Sequence, residues 1–266
     1  LGHVNVVKSM IFAGMSGSAV ADAAGVGMVG MEAMNKAGFD RPFSAAVTAT
    51  AATIGPIIPP SIPFVIFGSM TGTSVGRLFL GGFIPGFCMG IGIMITVYII
   101  SGRRNYPRQR KSTLREIVAA GLGAWSAYLA PIIIIGGILM GIFTPTEASV
   151  AAAIYAMIVT MVLYKEITLR DLPKIFVVTM EQTVRVMFII SAAGLFGWLL
   201  IQQRVPEAVI NALMALSDRP WVILLIINII LLVLGCFMEA ISIMLLTTPM
   251  FMPLVLSAFP KDSNAP

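Results

Sequence analysis

The sequence predicts an all-α membrane protein, a polytopic helical bundle. Hydrophobic residues make up 58% of the 266 and charged residues only 11%, whereas soluble domains are about a quarter charged. The mean hydropathy is +0.96. The apolar residues are gathered into long runs, many of them near the ~20 residues that a membrane-crossing helix needs. One soluble core cannot hide that much apolar surface, but lipid can solvate the outward faces.

The runs set the expected elements and three parts of the chain. A first part, 1–101, holds a hairpin at 4–34, a broken helix at 44–70 and a plain helix at 78–101. Residues 102–116 form a basic loop. A second part, 117–256, holds helices at 117–143, 147–164 and 176–201 and a second hairpin at 221–256. A polar tail, 257–266, closes the chain. Residues 172–185 are more polar than their neighbours and are expected to lie along the membrane surface before the chain turns in.

Charge fixes the orientation. Six of the 17 basic residues, Arg103, Arg104, Arg108, Arg110, Lys111 and Arg115, fall in one loop between apolar runs. The positive-inside rule makes that loop cytoplasmic, which accounts for much of the net charge of +5 and speaks against nucleic acid as a partner. Cys88 and Cys236 lie in apolar runs and read as small buried hydrophobes rather than a disulfide. The chain starts partway into an apolar segment without Met, as expected of a fragment or processed chain.

The breaks carry the chemistry. Residues 55–63 contain four prolines and a glycine in mid-run. Each proline removes a backbone donor and crowds the preceding turn. Unsatisfied backbone groups cost several kcal/mol in lipid, so such a gap persists only inside protein or along a cavity. Interrupted helices of this kind point to a midplane site in secondary transporters. The alternative is a purely mechanical kink. A second break, Ser16-Gly17-Ser18, divides two arms too short to be comfortable spans. A re-entrant hairpin with its tip at depth fits them, and its carbonyls and hydroxyls would suit a small hard cation. A small-residue packing face is the alternative. Asp22 follows one turn later, either as an ion-coupling carboxylate or as a partner for the hairpin's own backbone.

Met238-Glu239-Ala240 forms a polar point between two more apolar arms, the second broken by Thr247-Thr248-Pro249 and Pro253. Counting loops, this hairpin enters from the side opposite the first, as an inverted repeat requires. Thr144-Pro145-Thr146-Glu147 reads as a capping box. That box accounts for Glu147, with ion coupling as the alternative.

The stretches SGSAVADAAGVG (16–27), ATIGPIIPPSIPFVIFG (52–68), GIFTPTEASVAAAIYA (141–156) and LTTPMFMP (246–253) resemble the large membrane subunit of tripartite ATP-independent periplasmic (TRAP) transporters. The resemblance implies a Na⁺-coupled importer of an organic acid, a C4-dicarboxylate for example, in the bacterial inner membrane. It implies an elevator-type mechanism, a small membrane subunit and a periplasmic substrate-binding protein as partners, and no cofactor, with Na⁺ as the coupling ion. Carried onto this sequence, a Na⁺ site joins Ser16, Gly17 and Ser18 to Gly55, Pro56, Pro59 and Ser61. Ser18, Pro60, Ser61, Glu239 and Thr248 are candidate substrate contacts. The family's opening helices and its second broken helix, with a Thr-Pro-Pro motif, are absent here, so one half-site lacks its partner. A channel or passive pore, or a truncated permease without function, is the alternative reading. An intramembrane enzyme is disfavoured, because Ser16 and Ser18 have no base nearby in the sequence.

Overall fold

A computed structural model describes residues 1–107, 113–205, 207–209, 211 and 219–258. The chain divides into two units, Leu1–Thr168 and Leu169–Pro266. The described residues form helices joined by turns, without strands.

The first unit opens on α1 (Gly2–Ser16), which ends at Gly17 in the left-handed region, φ 59°. Ser18 then caps a second helix, α2, spanning 19–36, its hydroxyl accepting from the Ala21 N–H. A π-helical turn, Ala23–Gly27, interrupts α2. The two helices pack side by side as a helical hairpin. α3 (Arg41–Ala52) follows. Residues 53–61 then leave the helix, and α4 (Ile62–Thr71) restarts on a Ser61 cap. α5 (Val75–Arg103) is the long helix of this unit. α1 lies against both α3 and α5, and Val6, Ala13, Met34, Val47, Ala51, Ile58 and Val97 share one buried core.

Glycines on α5 bring this core together. Gly82, Gly86 and Gly90 recur every fourth residue and so line one face. An added Cβ would lie 2.5 Å from the Ile57 carbonyl at Gly82, 2.4 Å from Ile58 at Gly86 and 2.5 Å from the Met10 sulfur at Gly90. Close approach at small residues is how helices associate without a hydrophobic driving force between them. Here it seats the unwound segment on α5.

α6 (Leu114–Gly123) starts on a Thr113–Glu116 capping box. α7 (Trp125–Leu139) and α8 (Pro145–Leu163) complete the unit. In the second unit, α9 (Leu172–Gln202) and α10 (Pro220–Gly235) both pack on α11 (Ala240–Ala258). Ile223, Ile227, Phe251 and Leu254 form its core. By length and composition α5, α8 and α9 can each cross a membrane. Large apolar side chains such as Ile84 and Phe188 stand about three-quarters exposed, as lipid-facing residues do.

Several expectations need correction. The run 117–143 is not one helix. It divides at Ala124, just after Gly121 and Gly123, and past Pro131 it continues as a π turn, Ile132–Gly136. The break expected at 55–63 lies at 53–61, because Pro63 fits the first turn of α4, where its missing N–H has no helical partner to lose. Residues 172–185 do not turn before entering the next run, since α9 is continuous over 31 residues. Pro249 and Pro253 do not break the second arm either, because both sit inside α11. The stretches 108–112, 212–218 and 259–266 of the expected loops and tail lie outside the described residues.

Candidate functional site

The structure brings the two breaks of the first unit together. Gly17 is buried between α1 and α2, and a Cβ placed on it would lie 2.5 Å from the Pro60 carbonyl oxygen and 3.1 Å from the Ile62 nitrogen. From the other side, a Cβ on Gly55 would lie 3.3 Å from the Ser18 carbonyl carbon and oxygen. The hairpin tip and the unwound segment therefore meet backbone to backbone. Glycine is needed at Gly17 on two counts, the positive φ and the close approach.

Each candidate residue has a definite place here. The Ser16 hydroxyl accepts from the Ser18 N–H at 3.5 Å, and Ser18 caps α2. The Ser61 hydroxyl donates to the Pro56 carbonyl and accepts from the Phe64 N–H, so one buried side chain serves both ends of the gap. The buried Pro59 turns its carbonyl toward Gly14, and Pro60 turns its carbonyl toward Gly17. Four helix ends converge. The C-termini of α1 and α3 carry partial negative charge, and the N-termini of α2 and α4 carry partial positive charge. Carbonyl ends favour a cation and amide ends a carboxylate, so one small volume offers both. A cavity of about 320 Å³ adjoins it, lined by Ser16, Pro60, Ser61, Phe79, Ile134 and Thr146 among others.

Asp22, one helical turn after Ser18, is fully buried, with the Ser9 side chain of α1 beside its carboxylate. Three residues near it were not singled out in the sequence. Asn5 and Ser9, four apart on α1, are buried, and Asn5 donates to the Thr48 hydroxyl at 2.8 Å. Lys8 donates to the Val26 carbonyl across the hairpin. A lysine inside an apolar run was the available signal.

Glu147 serves a helix cap, and Glu239 and Thr248 belong to the second unit. Glu147 closes the expected capping box, accepting from the Thr144 N–H and hydroxyl at 2.8 Å each while its own N–H reaches the Thr144 hydroxyl at 3.3 Å. Its exposed carboxylate caps α8. Glu239 belongs to the second unit, where it accepts from the Ile241 and Ser242 N–H groups and caps α11. Thr248 is half-buried in the middle of α11.

Known proteins are similar to this chain along most of its length. The family description "Tripartite ATP-independent periplasmic transporter, DctM component" matches residues 1–259. The chain is 40% identical over 253 residues to the sialic acid TRAP transporter large permease protein SiaM of Vibrio cholerae, covering 95% of this chain and 59% of that protein. It is 37% identical over 263 residues to the C4-dicarboxylate TRAP transporter large permease protein DctM of Pseudomonas aeruginosa (96% and 62%). It is 40% identical over 259 residues to the 2,3-diketo-L-gulonate TRAP transporter large permease protein YiaN of Escherichia coli (97% and 61%). The chain thus spans about three-fifths of the length of these relatives. These relatives are permeases, not enzymes, and their family resides in the inner membrane. With its apolar helices and the match along nearly all of its length, this chain belongs to the family of TRAP transporter large permease subunits.

Proposed function

We propose that this chain forms the ion-binding part of a Na⁺-coupled permease that imports an organic acid. A periplasmic binding protein would deliver the acid and a small membrane subunit would brace the permease. The carrying observation is the backbone contact of Gly17 with Pro60 and of Gly55 with Ser18. Carbonyls and hydroxyls from both breaks then lie within reach of one small cation. A bound Na⁺ would lock tip and break in register, and the amide ends of α2 and α4 would face a substrate carboxylate only in that arrangement. Coupling is then differential binding, because the anion favours the ion-loaded state. Elevator-type alternating access is the motion that goes with this reading. The sialic acid, dicarboxylate and keto-sugar-acid names of the relatives share a carboxylate, which supports an organic acid as the substrate class.

The test uses the full-length permease with its small subunit and binding protein in proteoliposomes. Ser18→Ala combined with Ser61→Ala is expected to raise the half-saturating Na⁺ concentration by about tenfold, the loss of one or two modest hydrogen-bonding ligands. Uptake that ignores a Na⁺ gradient, or a double variant with unaltered Na⁺ dependence, would remove the assignment.

A further inference from the structure

Between residues 4 and 31 the only charged side chains are Lys8 and Asp22. They sit on opposite arms of the hairpin, Lys8 on α1 and Asp22 on α2. Asp22 is completely buried, and the group facing its carboxylate from α1 besides Lys8 is the uncharged Ser9 hydroxyl. A buried carboxylate is costly at membrane depth unless an opposite charge stands near. Lys8 is half-buried, and its ammonium turns inward to the Val26 carbonyl instead of snorkelling to a water interface. Val26 follows Asp22 by four residues on α2, about 6 Å of axial rise. The ammonium is therefore anchored about one helical turn from the carboxylate, within its electrostatic reach.

The packing holds it there. A Cβ on Gly30 would lie 1.9 Å from Asn5 Oδ1 and 2.2 Å from Lys8 Nζ. Both polar heads thus press into the groove that Gly30 leaves open. The carbonyl that Lys8 takes belongs to the π turn Ala23–Gly27, where the hydrogen-bond ladder shifts register and a donor from outside the helix is useful. From α3, the buried polar groups are uncharged: Thr48, bonded to Asn5, and Ser44.

We propose that Lys8 is a tethered counter-cation for Asp22, and that this internal pair positions the tip residues Ser16–Ser18 against the unwound segment. Lys8 ties α1 to α2 at the π turn, and Asp22 lies four residues after Ser18, its N–H bonded to the Ser18 carbonyl. The pair occupies the hairpin seam rather than the tip, so it is a positioning device and not an ion ligand. The positioning role rests on the reading of the tip as an ion seat, whereas the pairing does not.

The experiment separates the two. Melting temperatures of the purified full-length permease in detergent are compared for Lys8→Met, Asp22→Asn, their combination and Lys8→Arg. Each single neutralisation is expected to lower the midpoint by about 5–10 °C, because it strands a buried charge. The combination is expected to lose clearly less than the two losses summed, and Lys8→Arg to stay near the parent. Additive losses, or a Lys8→Met midpoint equal to the parent's, would overturn the pairing. In proteoliposomes with both partners, Lys8→Met is expected to raise half-saturating Na⁺ severalfold while changing the maximal rate less than twofold, and Lys8→Arg to restore it. An unchanged Na⁺ half-saturation beside a coupled melting cycle would overturn the positioning role. A parent protein without Na⁺ dependence would refute the proposed function and leave the melting cycle to judge the pair.

Discussion

Gly17 meets two demands that no other residue type meets together. Its φ of 59° costs an L-residue ~1–2 kcal/mol, and any Cβ would lie 2.5 Å from a backbone oxygen that cannot move without moving the unwound segment. Gly17→Ala is therefore expected to abolish Na⁺-stimulated uptake while the protein still inserts, measured by transport alongside surface expression. Ser61 is nearly as constrained. Losing its hydroxyl removes the cap of α4, worth ~1 kcal/mol, and leaves the Pro56 carbonyl without its donor. Ser61→Ala should lower the melting midpoint by a few degrees. The tip was legible as a sequence because small polar residues interrupt an apolar run. Lys8 was visible only as a charge inside an apolar run, because its value depends on where the π turn of α2 puts the Val26 carbonyl. No residue pattern on α1 specifies that.

Proline spacing decides whether an element breaks. In 55–63 Pro56, Pro59 and Pro60 remove three backbone donors within five residues. Together with Gly55 this opens the gap between α3 and α4. In α11, Pro249 and Pro253 stand four apart, and the chain keeps its helical course at the cost of single, well-separated donors. Long membrane helices tolerate that when side chains re-satisfy backbone groups. Counting prolines thus located the first break to within two residues and misjudged the second. The capping boxes were easier to read, because cap and box residue lie within one turn of sequence. Thr144→Ala should destabilise α8 by ~1 kcal/mol and leave the Na⁺ half-saturation unchanged. A thermal melt and a Na⁺ titration on the same preparation check both parts.

For the molecule as a whole, the first unit contains both halves of the proposed ion seat, and the second contributes Glu239 and Thr248 from its own helices. A clamp ties off one end of the first unit. The Arg104 guanidinium donates to Asp40 at 2.9 Å and to the Tyr106 hydroxyl at 3.2 Å, and Tyr106 stacks on Phe39 and Phe43. The ion pair is exposed and screened by solvent, so the aromatic stack carries most of this junction. The sequence placed Arg104 in a basic loop but gave no sign of the stack, which needs residues 39, 43 and 106 brought together by the fold. Membrane embedding has its own test. Cys88 lies near the middle of α5 on an exposed face. It should resist a membrane-impermeant maleimide in proteoliposomes and react fully after denaturation in detergent, as read by mass spectrometry. Rapid labelling of the embedded protein would contradict α5 as a lipid-facing span.

The contact between the hairpin tip and the unwound segment also bears on how such permeases diversify. Gly17 has no side chain to trim, and its neighbours across the gap present main-chain atoms. Mutation can therefore scarcely retune that junction by small steps. The adjoining cavity is different, for its wall includes ordinary side chains such as Phe79, Ile134 and Ile138. Relatives named for sialic acid, a C4-dicarboxylate and a diketo-gulonate share this stretch of chain at 37–40% identity. On the proposed function, a junction of main-chain atoms beside a wall of side chains separates the ion seat, which substitution can hardly reshape, from the cavity, which it can.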